Sequence, residues 1–275
     1  MEKSELKPAG VFHFFNEICQ VPRPSKKEEK MIAYLKAFGE KHNLETKVDE
    51  AGNVLIKKPA TPGKENLKTV ILQSHVDMVC EKNNDTDHDF LTDPIETEID
   101  GEWMKAKGTT LGADNGIGVA TELAILADDS IEHGPIECLF TVDEETGLTG
   151  AFALKEGFMS GEILLNLDSE DEGELYIGCA GGIDTVAEFQ YENEMTPISH
   201  LCFRITVKGL KGGHSGGDIH LGRGNANKIL NRFLYQMMTT YQEDFHLYEF
   251  NGGNLRNAIP REASAVFSVP EHYKH

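Results

Sequence analysis

Three short apolar runs end in residues that bind protons and cations. VILQSH (70–75) leads into His75 and Asp77, IECLFT (136–141) into Glu144 and Glu145, and EILLNLD (162–168) into Asp168. Branched, apolar runs of this length, set between helical stretches, read as buried strands. GVFHFFNEICQV places Val11, Phe14, Phe15 and Ile18 at helical spacing. RPSKKEEKMIAYLKAFGEKHN reads as a second helix, with Ser25 and Glu28 spaced as a capping box. NGIGVATELAILADD is a third, with Ile117, Ala120, Leu123, Ala124 and Ala127 on one face. LETKVDEAGNVLIKKP predicts a hairpin around Ala51–Asn53, and GLTGAFALKEG a short helix. GEWMKAKG reads as an edge-like segment that Trp103 packs onto the body. This alternation predicts an α/β layer: a mixed, largely parallel sheet with helices on both faces.

After ELYIGCAGG the pattern changes. TVAEFQYENE and HLCFRITVKG alternate with period two, GNANKILNRFLYQMMTTY is a long helix, and DFHLYEFNGG and SAVFSVP alternate again. That run predicts a smaller α+β domain, which divides the chain into residues 1–185 and 186–275. A formal charge of −20 disfavours nucleic acid and anionic membranes as partners. No apolar run reaches the twenty or so residues of a membrane helix, and MEKSELKPAG has no signal-peptide core. Cys19, Cys80, Cys138, Cys179 and Cys202 are odd in number and show no CxxC spacing, which fits a reduced, cytoplasmic protein.

On a strand, side chains two apart share a face, so His75 and Asp77 sit side by side. A carboxylate on the second ring nitrogen is the usual orienter of a metal-bound imidazole. In open α/β sheets, sites form at the carboxyl ends of strands, where His75, Glu144, Glu145 and Asp168 all fall. Asp114, in TTLGADNGIG, is read either as a helix N-cap or as a carboxylate reaching the same crevice. Taken singly, His75 is also a plausible core histidine, Glu144 and Glu145 a solvated pair, and Asp168 a turn cap. Taken together, one imidazole and several carboxylates at strand ends call for cations between them. Oxygen-plus-imidazole ligation suits zinc, cobalt or manganese.

The stretches SHVDMVCEKN, GTTLGADNGIG, TVDEETGLTGA, NLDSEDEGELYIGCAGG, KGLKGGHSGGDIHLGRGNA and NLRNAIPREA resemble the co-catalytic zinc peptidase superfamily, within it most closely the Xaa-His (aminoacyl-histidine) dipeptidases. The resemblance runs from about residue 19 to 265. It implies that two zinc ions are bridged by Asp114, with His75 and Asp168 completing one metal site and Glu145 belonging to the other. It also implies that Glu144 is the general base for the attacking water and that Asp77 orients His75. His214, otherwise a polar residue in a flexible Gly-rich loop, resembles a lid histidine that reaches the substrate's carbonyl oxygen. Asn257 resembles a substrate-contacting asparagine, and Arg256 is a weaker candidate for the substrate carboxylate. His220 is a further candidate for the pocket lining.

The implied reaction is hydrolysis of dipeptides such as β-alanyl-histidine by a cytoplasmic enzyme, with a homodimer built through lid domains. The family carries a further catalytic segment with another metal-binding histidine. This sequence stops at FSVPEHYKH, and neither His272 nor His275 matches that motif. A partial catalytic domain, a partial lid and a weak metal site on the Glu145 side are therefore expected. Two other readings stay open: a metal-binding chain with little or no activity, and a related amidohydrolase such as a deacylase or tripeptidase.

Overall fold

A computed structural model describes residues 6–169, 171–179, 181 and 183–273. The chain divides into two compact units, Met1–Gly181 and Gly182–His275.

In the first unit the hairpin β1 (Glu45–Val48) and β2 (Val54–Lys58) joins β3 (Val70–His75), β6 (Ile136–Thr141) and β7 (Ile163–Asn166) in one sheet, ordered β1-β2-β6-β3-β7. β3 runs parallel to both β6 and β7, so three carboxyl ends lie at one edge of the sheet. A separate hairpin, β4 (Thr97–Asp100) and β5 (Trp103–Ala106), stands apart from it.

Alternation along the strands sorts the core onto two faces. Val54, Ile56, Leu72, Cys138 and Phe140 pack with Phe15 and Ile18 of α1 (Ala9–Ile18), Leu35 of α2 (Glu29–Lys41), and Leu123 of α3 (Ala113–Ala127). Leu55, Ile71 and Leu139 face the other way, towards Leu154, Phe158 and Met159. Those residues follow the short helices α4 (Glu144–Gly147) and α5 (Thr149–Ala153). The loop before β7 is anchored by Glu137, whose carboxylate accepts from Ser160 and the Gly161 N–H and pairs with Lys57.

The second unit is an antiparallel sheet, β8 (His200–Val207), β10 (Ala263–Pro270) and β9 (His246–Gly252), in the order β8-β10-β9. Helix α6 (Ala226–Tyr241) lays Ala226, Leu230 and Leu234 against Ala263, Ala265, Phe267 and Val269. Asn225 caps α6 by accepting the Lys228 N–H.

Several expectations are corrected. TVAEFQYENE forms no strand: Val186, Phe189 and Tyr191 stand more than four-fifths exposed, with neither a core to face nor a ladder to join. Trp103 is 72% exposed and does not pack its hairpin onto the body. α2 begins at Glu29, not near Ser25, and no side chain caps it. Ile117 is 37% exposed, because α3 lies between α1 and β3 and buries Gly116, Val119, Ala120, Leu123 and Leu126 instead.

The same geometry buries Glu122 completely, beside Ser74 and Cys138. Burial pushes its pKa up to about 8. The folded chain keeps this proton while the unfolded chain loses it near pH 4.5, so the group's contribution is intact below that pH and is lost as pH rises towards 8. The expected slope is about 1.4 kcal/mol per pH unit across that window. Urea melts of wild type and Glu122→Gln in chelator, at pH 5 and pH 8, should show a slope steeper in the wild type by about that amount, the other titrating groups being common to both. Equal slopes would show that this carboxyl does not titrate as burial dictates.

Candidate metal centre

The register of the parallel strands sets the site. His75 pairs with Thr141 on β6, and Gln73 with Asn166 on β7. The residues just past the ends are therefore neighbours: Asp77 after β3, Glu144 and Glu145 after β6, Asp168 after β7. Asp143, in the left-handed region at φ 50°, turns the chain sharply so that both glutamates face the crevice.

Asp114 arrives from α3. Gly112 (φ 70°) turns the chain into the helix, and Asp114 and Asn115 keep non-helical backbone inside its first turn. The helix end is satisfied by Asn115, whose Oδ1 accepts the Gly118 N–H at 3.2 Å. The cap reading of Asp114 thus belongs to its neighbour, and the Asp114 carboxylate is left to meet His75.

Nε2 of His75 lies 3.1 Å from Asp114 Oδ1, 3.6 Å from Asp168 Oδ1 and 4.0 Å from Glu144 Oε2. Donor atoms of His75, Asp114 and Asp168 all fall within 4.8 Å of one another, as do those of His75, Glu144 and Glu145. On the ring's other side, Nδ1 is 3.2 Å from Asp77 Oδ1. Asp77 is fully buried; its carboxylate accepts from Ser25 Oγ at 2.7 Å and from the Glu144 and Glu145 N–H groups at 3.0 and 3.2 Å. One carboxylate thus fixes both the imidazole and the turn carrying the two glutamates.

Charge explains the rest. Two like charges 4 Å apart repel by about 4 kcal/mol at an effective dielectric of 20, so these carboxylates cannot all ionise without a cation. Burial would lower the pKa of His75, but hydrogen bonds to Asp114, Asp168 and Asp77 outweigh it and push it up to about 12. Burial also raises Asp77, yet its bonds from His75 and Ser25 leave it below the usual carboxylate range. Burial, with Asp168, Asp77 and Asp114 adding to it against the pull of His75, raises Glu144. Burial and then Asp114 raise Glu145 to about 7. In the metal-free chain the proton on His75 is the counter-charge; a divalent cation would replace that proton. One imidazole nitrogen with several carboxylates is a donor set that zinc, cobalt or manganese accepts.

A third acidic group, Glu28, Asp77 and Asp143, lies fully inside the protein. Each of its carboxylates is hydrogen-bonded by the chain itself. Asp143 accepts from the Thr146 and Thr149 hydroxyls, and Glu28 from the Lys26 and Asp143 N–H groups. Ser25 and Glu28, which the sequence presents as a capping box, instead serve Asp77 and the Asp143 turn.

In the second unit, His214 is exposed on a glycine loop. Its Nδ1 accepts from the Gly216 and Gly217 N–H groups at 3.1 and 2.9 Å, which puts the proton of the neutral ring on Nε2. The Ser215 N–H donates to Asn257 O at 2.8 Å, joining the His214 and Asn257 loops. Arg256 pairs with Asp184 at 3.1 Å. His220 is exposed in a short 3-10 turn, and His275 lies outside the described residues.

Residues 71–231 match peptidase family M20/M25/M40, and residues 205–273 match a peptidase dimerisation domain. The chain is 53% identical over 268 residues to the cytosol non-specific dipeptidase of Escherichia coli, covering 98% of this chain and 55% of that protein. It is similar to the crystal structure of aminoacylhistidine dipeptidase from Vibrio alginolyticus, with 51% identity, a TM-score of 0.64, and coverage of 100% of this chain and 56% of that one. The aminopeptidase PepT of Bacillus cereus shares the fold at 21% identity and a TM-score of 0.52, over 96% of this chain and 67% of that one. The chain spans about half the length of the first two relatives.

Proposed function

Because the chain belongs to peptidase family M20/M25/M40, we propose that it carries the metal centre of a dipeptidase that cleaves Xaa-His and related dipeptides. The observation that carries this reading is the approach of Asp114, Asp168 and Glu144 to one nitrogen of His75. The Escherichia coli relative is named a non-specific dipeptidase and the Vibrio one an aminoacylhistidine dipeptidase; both names support a dipeptide substrate, and we take β-alanyl-histidine as the first to try.

His75, Asp114 and Asp168 would hold one zinc ion, and Asp114 with Glu145 a second. Zinc there supplies Lewis acidity towards the scissile carbonyl and makes water a nucleophile near neutral pH. Asp77 holds the His75 ring in place. Glu144 takes a proton from the attacking water and returns it to the leaving amine, so the C–N bond breaks with the proton delivered to nitrogen. His214 donates through Nε2 to the substrate's carbonyl oxygen, Asn257 contacts the bound substrate, and Arg256 can exchange Asp184 for the substrate carboxylate. With Glu144 reserved as base, fewer of the side chains described would hold the second ion, which would bind more weakly.

We propose further that residues 1–185 form the catalytic part and residues 186–275 the lid and dimerisation part, that the protein is a homodimer, and that it works in the cytosol. No helix among the described residues is long and apolar enough to cross a membrane.

The test is hydrolysis of β-alanyl-histidine, a histidine-free dipeptide, a tripeptide and an N-acyl amino acid, before and after chelation. Chelation should lower dipeptide release more than 100-fold, and added zinc should restore it. Preference for the tripeptide or N-acyl substrate would favour a related amidohydrolase. Metal binding without any hydrolysis would leave a binding role alone.

A further inference from the structure

Arg23 lies in the segment between α1 and α2 and is 3% exposed. Nη1 donates to Val76 O at 3.0 Å and to Asp77 O at 3.1 Å; Nη2 donates to Gly112 O at 2.5 Å. One guanidinium therefore links the loop after β3, which carries Asp77, to the turn that delivers Asp114.

The glycines around Asp114 are shaped to this group. A Cβ at Gly112 would lie 2.6 Å from Nη2, and one at Gly116 would lie 2.7 Å from it. Part of the glycine content of LGADNG thus makes room for an arginine some ninety residues earlier in the chain. Two residues further on, Ser25 holds the Asp77 carboxylate itself. Glu28 then holds the Asp143 N–H at 3.0 Å, at the turn into Glu144. The short segment from Arg23 to Glu28 touches the supports of Asp77, Asp114 and Glu144.

We propose that Arg23 is a positioning residue of the metal centre, holding the Asp77 loop and the Asp114 turn in register so that His75 and Asp114 meet at ligating distance. This rests on the metal reading above. The planar fork is what the role requires: it spans two loops with parallel donors, whereas a lysine ammonium is a point charge that serves one. The buried positive charge also lies within electrostatic reach of Asp77 and Asp114.

The test uses the full chain and the metal alone. Wild type, Arg23→Lys and Arg23→Met are titrated with Co2+ and followed by visible absorption, with thermal melts in chelator as the control for folding. Arg23→Met should bind Co2+ about 10–100-fold more weakly, the range found for outer-shell supports of metal ligands, with an altered ligand-field band. Arg23→Lys should recover only part of the affinity and spectrum. If Arg23→Met does not fold, Arg23→Lys carries the comparison. Wild-type affinity and spectrum in Arg23→Met, or full recovery in Arg23→Lys, overturns the proposal while leaving the metal reading intact. A wild-type chain that binds no Co2+ overturns the metal reading and this proposal with it.

Discussion

Changing Glu144 to Gln is expected to lower dipeptide hydrolysis by about 10²–10⁴-fold while the protein keeps its metal. The side chain is half-buried and lies 4.0 Å from His75 Nε2, close to the proposed ligands but further than Asp114 or Asp168. Its backbone N–H is held by Asp77, so the amide variant keeps the turn in place. Gln matches Glu in shape and hydrogen bonding but cannot accept a proton at neutral pH. Activity should therefore fall in kcat, with KM little changed, and metal content measured on the same sample should match wild type. Undiminished hydrolysis would remove Glu144 from the mechanism. Lost activity together with lost metal would make it a ligand instead.

His75→Ala should do the opposite in part: it should abolish tight metal binding, and activity with it. His75 supplies the one nitrogen of the tighter proposed site, which without it keeps only the carboxylates of Asp114 and Asp168. The loss should exceed the 10–100-fold that changes in supporting residues cost. A second effect follows from burial. His75 and Asp77 are both essentially inaccessible, and the imidazolium is the counter-charge to Asp77, Asp114 and Asp168 in the metal-free chain. Removing one partner of a buried pair costs about 3–5 kcal/mol, so metal-free His75→Ala should melt well below wild type at neutral pH. Lowering the pH through the carboxylate range should narrow that gap, because the orphaned acids can then be protonated. An unchanged melting temperature at pH 7 would mean the carboxylates have found another counter-charge.

Much of this site was legible because strand geometry is simple. Three apolar runs with acids or histidine at their carboxyl ends imply a shared crevice once the strands are parallel, and β6, β3 and β7 are. What the sequence hid were contacts whose partners lie far apart in the chain. Ser25 and Glu28 carry a local helix-start signature, yet their side chains serve Asp77 and Asp143, 52 and 115 residues away. Arg23 gives no periodic or motif signal; its only trace is a pair of glycines whose missing side chains leave space for it. Asp114 and Asn115 are adjacent and both suit a cap, so spacing alone did not divide the roles between them. Glu122 gives no signal in the sequence because α3 is covered on more than one side, whereas a single-face pattern leaves that position in solvent.

The most direct measurement is anomalous diffraction from crystals of the chain grown with zinc or cobalt. The account predicts a peak about 2.0–2.2 Å from His75 Nε2 and from carboxylate oxygens of Asp114 and Asp168, with any second, weaker peak between Asp114 and Glu145. Ions found elsewhere, or none at all with those side chains bonded only to one another, would contradict it.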